Sequence, residues 1–141
     1  MRALSIVDRD DTASNCVEKG TLRDKANSST DPDLLLRVWA RRHIENYLLC
    51  PAAVARAAGA DEVDVATLLA EHALVVPNNF TSIDVAEAML DARGKEITQE
   101  HAQCFLSVFG IRPLEIAKAM QPSEVPEDIA TLLTQIRNLC A

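Results

Sequence analysis

An apolar run, Ala3-Leu4-Ser5-Ile6-Val7, ends abruptly in the acidic residues Asp8, Asp10 and Asp11. A short run of this kind, bounded by turn formers, predicts a buried strand. Leu34-Leu35-Leu36-Arg37-Val38-Trp39-Ala40 is apolar and partly β-branched or aromatic, and predicts a second strand. Between them, residues 12–33 carry many Ser, Thr, Asn, Asp and Lys side chains and few apolar ones, which predicts a helix fragment followed by a mobile loop. Two strands joined by a long connection predict a parallel α/β arrangement. Because a two-stranded sheet would be poorly covered, the pair is expected to belong to a larger sheet.

From about residue 41 the spacing is helical. Arg42 to Leu49 is predicted as a short helix that stops before Pro51, since proline disfavours the α conformation in the residue preceding it. Asp61 is placed to cap a helix with Val65, Leu68, Leu69 and His72 along one stripe, and Thr81 to cap another, with Asp84 completing a capping box. Thr98 is expected to open a third, in which Ala102, Phe105, Leu106 and Phe109 share a face and Gly110 ends the helix. Pro113 and Pro126 suit first-turn positions. The last helix carries Glu127 and Asp128 at its positive end and is expected to bury Ile129, Leu132, Leu133 and Ile136. The chain thus divides into an α/β unit over residues 1–50, with a sheet of few strands, and an all-helical extension over residues 51–141, mostly α overall.

The 141 residues suit one domain, or a half-domain with an extension. No apolar run approaches the roughly 20 residues that cross a bilayer, and the start lacks a signal-peptide pattern, so a cytoplasmic location without membrane partners is expected. The cysteines at 16, 50, 104 and 140 form no C-x-x-C pair and have no histidine at zinc-finger spacing, which makes them reduced, small core hydrophobes. The net charge of −7 is unevenly placed: residues 1–50 hold eight basic and eight acidic side chains, residues 51–141 six and thirteen. The acidic second part repels phosphates at long range, so any nucleic-acid contact is expected from the first part or from another protein surface.

If the first strand stays extended to its end, Asp8 and Asp10 point the same way at its carboxyl end, where open α/β sheets place their ligands. Two carboxylates on one face repel unless a cation lies between them, and Mg²⁺ favours hard oxygen ligands. The alternative is a strand capped by solvated turn aspartates. His43 forms an H-x-E with Glu45, but positions i and i+2 of a helix face different sides, so joint ligation requires an extended segment. His72 and His101 fall within helical patterns. Trp39 and Tyr47 are too few for a base-stacking platform.

Arg42-His43-Ile44-Glu45-Asn46-Tyr47-Leu48, about thirty residues after Asp10, resembles the R-x-I-E-N-Y-L signature in the Toprim region of AAA-type ATPases of the OLD nuclease kind. The strand ending in D-x-D resembles that fold's metal-binding strand, Gly94-Lys95-Glu96-Ile97 its G-K segment, and Val125-Pro126-Glu127-Asp128-Ile129 its closing P-E-x-I helix. The resemblance implies a partial Toprim-like unit of an ATP-powered, metal-dependent DNA nuclease used against phage or in DNA processing. In it Asp8, Asp10 and Glu45 hold Mg²⁺ or Mn²⁺, Glu45 and Lys95 are catalytic, and Lys95 neutralises charge near the scissile phosphate. From the residues alone, Glu45 is equally a surface carboxylate paired with Arg41 or Arg42, and Lys95 a solvated helix-start lysine. Asn46 and Tyr47 could instead fix the turn and pack the helix against the sheet.

The glutamate-bearing strand with which such a domain opens is not found here, and no G-x-x-x-x-G-K-S/T occurs. Catalysis is therefore expected to need an ATPase domain or subunit and the amino-terminal part of the fold, with DNA reached through the complete protein. Self-association into a homodimer stays open. Two other classes compete. Val7-Asp8-Arg9-Asp10-Asp11-Thr12 resembles the opening of haloacid dehalogenase-type phosphatases, with Asp8 as nucleophile and Asp10 as proton donor. That family also needs a later lysine and an acidic cluster on another strand. The third class is a non-catalytic module that docks a partner through its acidic helical tail.

Overall fold

The computed structural model describes residues 1–141. The two apolar runs form strands β1 (Ala3–Val7) and β4 (Leu34–Val38), which pair in parallel with Ala3 opposite Leu34 and Val7 opposite Val38. The connection between them differs from the predicted helix and loop. It makes a single 3-10 turn at Ser14–Cys16 and then a small antiparallel hairpin of β2 (Val17–Glu18) and β3 (Arg23–Asp24), which joins β4 antiparallel through Arg23 and Arg37. The result is a mixed four-stranded sheet of order β1-β4-β3-β2, with β1 at one edge. Two isolated apolar residues account for the difference: Val17 and Leu22 are buried in the core, and the chain reverses between them with Gly20 and Leu22 both at positive φ.

The remainder contains no strand. The predicted Arg42–Leu49 helix is extended through His43 and then forms a 3-10 turn, Ile44–Leu48. Pro51 opens a helix of its own, α1 (Pro51–Ala58), closed by Gly59 in the left-handed conformation. Helix α2 (Glu62–Glu71) starts after Asp61 and buries Val65, Leu68 and Leu69 as predicted, although the Asp61 side chain makes no capping bond. Thr81 caps nothing: turns continue to Asp84, and one helical turn, α3 (Glu87–Leu90), follows after Ala86.

Thr98 does not open a helix either. It is buried inside a π-helical turn, Glu96–Glu100, with its hydroxyl donating to the Gly94 carbonyl at 2.8 Å, so Ala102 lies in a bend. Helix α4 (Phe105–Phe109) begins only after Cys104, whose sulfur accepts the Ser107 N–H, and ends at Gly110. Pro113 starts α5 (Pro113–Ala119), whereas Pro126 stands just before α6 (Glu127–Cys140). Helix α6 buries Asp128 and Leu132, while Leu133 and Ile136, expected inside, are 59% and 39% exposed. One hydrophobic cluster spans both parts of the chain, from Val17 through Trp39, Val54 and Ile97 to Leu132. No helix is long and apolar enough to cross a membrane.

Candidate functional site

Beyond Val7 the chain leaves β1 beside the continuation of β4: Trp39 N–H donates to the Val7 carbonyl, and Asp10 N–H to that of Arg42, both at 3.0 Å. Arg9 turns into the protein and is only 3% exposed. Its guanidinium donates to the carbonyls of Ala40, Thr12 and Leu90 and to the Asp91 carboxylate at 2.5 Å, tying the strand end to α3. The strand does not stay extended to Asp10, so alternation does not bring Asp8 and Asp10 together; they meet through Lys95, which contacts both. Asp10 takes a left-handed φ of 49°, which an aspartate tolerates better than most side chains.

Asp8 Oδ1 accepts the Ile44 N–H at 3.0 Å, so the strand end anchors the first residue of the Ile44–Leu48 turn. Asn46, fully buried in that turn, donates to the Ala92 carbonyl at 2.8 Å and accepts the Gly94 N–H at 3.0 Å. This clasp brings the Ala92–Lys95 segment over the strand end. Lys95 N–H then donates to His43 Nδ1 at 3.4 Å, and its ammonium lies 3.2 Å from Asp8 Oδ2 and 3.7 Å from Asp10 Oδ1. His43 Nε2 is 3.5 Å from the same Asp10 oxygen. The hydrogen bond to Asp8 raises the Lys95 pKa above its ordinary value, and the charges of Asp8, Asp10 and Glu45 add to that rise.

Three segments far apart in sequence therefore meet at the carboxyl end of β1. No protein-family model, curated protein or solved structure matches this chain.

Of the residues singled out in the sequence, Asp8, Asp10 and Lys95 are in contact. Glu45 is near enough for its charge to act on Lys95 but makes no ion pair with any of them. It pairs with neither Arg41 nor Arg42. Its Oε2 is buried without a hydrogen-bond partner, and the side chain also lines a largely apolar cavity of about 420 Å³ between the Ile44–Leu48 turn and α5. His43, extended rather than helical, belongs to the cluster. His72 and His101 lie together elsewhere, with ring centroids 4.9 Å apart.

The reading of Asn46 as a residue that fixes the turn did not extend to its bonds with Ala92 and Gly94, although a glycine directly before the candidate lysine was a usable sign of close backbone approach. Behind the turn, Tyr47 donates to the Asp128 carboxylate at 2.7 Å. The Arg41 guanidinium is sandwiched between the Tyr47 and Phe80 rings, 4.8 and 4.7 Å from their centroids, and donates to the Phe80 carbonyl. Burial raises the pKa of both Tyr47 and Asp128 and lowers that of Arg41.

The carboxylates are hard oxygen donors of the type Mg²⁺ and Mn²⁺ take, and the unpartnered Glu45 oxygen adds a further acceptor. However, no group of three or more His, Cys, Asp or Glu side chains is arranged to hold a metal ion. The Lys95 ammonium is the cation that Asp8 and Asp10 share.

Proposed function

We propose that this chain carries part of the catalytic site of a Toprim-like, divalent-metal-dependent DNA nuclease that works with an ATPase domain or subunit. The observation supporting this most directly is the contact of Lys95 with both Asp8 and Asp10 beside the turn bearing Glu45. Asp8, Asp10 and Glu45 would hold Mg²⁺ or Mn²⁺, which supplies an activated water and charge stabilisation when bound. Lys95 offers a positive charge to a phosphodiester at the strand end, where negative charge grows in the transition state. Asn46, through Gly94, holds the lysine backbone in place, and His43 orients it. The acidic second part leaves DNA to be gripped elsewhere in the complete assembly.

The test is Mg²⁺- or Mn²⁺-dependent cleavage of DNA by the chain assembled with its ATPase partner, compared with Asp8→Asn, Asp10→Asn and Glu45→Gln. Loss of cleavage with intact folding supports the proposal, and full cleavage by Asp8→Asn ends it. Hydrolysis of a phosphate monoester that disappears in Asp8→Asn, without DNA cleavage, would instead favour the phosphatase reading. Neither activity and no metal binding would favour the docking module.

A further inference from the structure

We infer that this chain pairs with a second copy of itself through β1, edge to edge and antiparallel about a two-fold axis at Ser5, so that two four-stranded sheets become one. The inference is independent of the nuclease reading and involves no metal.

The two edges of the sheet are unlike. β2 closes one side with two residues, one of them charged, and offers little to pair with. β1 closes the other with five residues, Ala3–Val7, that include no charge, proline or glycine. In the parallel register with β4, Ala3, Ser5 and Val7 turn their main-chain groups toward β4, as the bonds from Ala3 N–H to Asp33 and from Trp39 N–H to Val7 show. Leu4 and Ile6 turn theirs outward, where they meet no hydrogen-bond partner within the chain. Val7 is 52% exposed at the same edge.

Outward groups on alternate residues allow antiparallel self-pairing only in registers that set residues 2, 4, 6 and 8 against one another. With Ser5 on the axis, Leu4 lies opposite Ile6 of the second copy and exchanges both main-chain bonds with it. The side-chain pairs then match: Leu4 with Ile6, Val7 with Ala3, Ser5 with its own copy, and Arg2 with Asp8. Moving the axis to Leu4 sets Arg2 against Ile6, and moving it to Ile6 sets Leu4 against Asp8. Only the axis at Ser5 keeps charge away from apolar side chains. The Arg2 side chain is 70% exposed and its one ion pair, with Asp33, is stretched to 4.0 Å, so it is free to turn to the acidic strand end of the other copy. Long-range charge does not oppose the approach, because residues 1–50 hold equal numbers of basic and acidic side chains and the acidic excess lies in residues 51–141.

The experiment is sedimentation equilibrium of the wild-type chain, Arg2→Asp and Ile6→Pro, together with oxidation of Ser5→Cys and Val7→Cys, each carrying Cys140→Ser because Cys140 is exposed. Wild type should sediment at twice the chain mass. Arg2→Asp sets like charges against each other at both ends of the paired strands and should weaken association by roughly tenfold. Ile6→Pro removes an outward N–H and no bond to β4, so it should be monomeric with the circular-dichroism spectrum of wild type. Ser5→Cys should form an interchain disulfide, since a non-hydrogen-bonded pair on the axis brings its Cα atoms to about 4.5 Å, whereas Val7→Cys should not. A monomeric wild type, which leaves the edge to a strand of another protein, overturns the inference. So does a dimer that Arg2→Asp leaves at full strength and in which Val7→Cys crosslinks as fast as Ser5→Cys, because such a dimer uses another face or register.

Discussion

Asn46 and Gly94 approach so closely that a β-carbon on residue 94 would lie 2.2 Å from Asn46 Oδ1 and 2.7 Å from the Asn46 backbone nitrogen. This contact joins the Ile44–Leu48 turn to the segment that delivers Lys95. The backbone nitrogen cannot rotate out of the way, so the clash cannot be relieved by one flexible side chain.

Gly94→Ala should therefore destabilise the fold by about 1–3 kcal/mol, the usual cost of overpacking a filled interior. A urea-unfolding midpoint equal to that of wild type would contradict the close approach.

Asn46→Ala should be at least as severe. It leaves the buried Gly94 N–H and the half-buried Ala92 carbonyl without their partner, at about 1–3 kcal/mol for a stranded buried group. Asn46→Asp keeps an acceptor for Gly94 but sets a buried carboxylate against the Met89, Leu90 and Ala92 carbonyls, so its unfolding midpoint at neutral pH should be no higher than that of Asn46→Ala.

Asp128 predicts the sign of a pH effect. Burial raises its pKa above the unfolded value, while the Tyr47 hydrogen bond and the Arg41 charge oppose the rise. A carboxyl whose folded pKa is raised favours folding below its unfolded value, about 3.9. That contribution is lost as pH climbs through the folded pKa. The stability of wild type relative to Asp128→Asn should thus fall with rising pH above about 4 and then level off, as urea unfolding across that range will show. A difference that grows in favour of wild type would refute the assignment.

The neighbouring aspartates should separate by role. Asp11 is 94% exposed on its side chain and pairs only with Arg42, whereas Asp10 meets both Lys95 and His43. In calorimetric titrations Asp10→Asn should lose divalent-cation affinity and Asp11→Asn should keep it. Asparagine is the suitable replacement because it tolerates the left-handed backbone at residue 10.

Along α6, Leu132→Ala should cost about 2–4 kcal/mol as a buried truncation. Leu133→Ser, on the exposed side of the same helix, should stay within about 0.5 kcal/mol. Thermal melts of the two variants check the orientation of the helix.

Much of the local structure was legible. β1 and β4, their parallel pairing, the buried stripe of α2 and the end of α4 at Gly110 follow from apolar runs and backbone chemistry acting over a few residues. The hairpin within residues 12–33 was not, because only Val17 and Leu22 carry its burial and two residues make no period. Thr98 carried the signature of a cap and became a buried helix-turn residue instead, bonded to Gly94. Leu133 and Ile136 fitted an apolar stripe wider than the surface α6 rests on.

The sequence by itself determined that acidic side chains close a short apolar strand, and that a glycine precedes a lysine far downstream. Only the tertiary structure decided that residues 8–10, 43–46 and 94–95 share one place, with Lys95 on the aspartates rather than in solvent. The reason is physical: Arg9 and Asn46 hold these segments together chiefly through main-chain carbonyls and amides. Nearly every residue offers such groups, so the positions that receive these bonds leave no mark in the sequence.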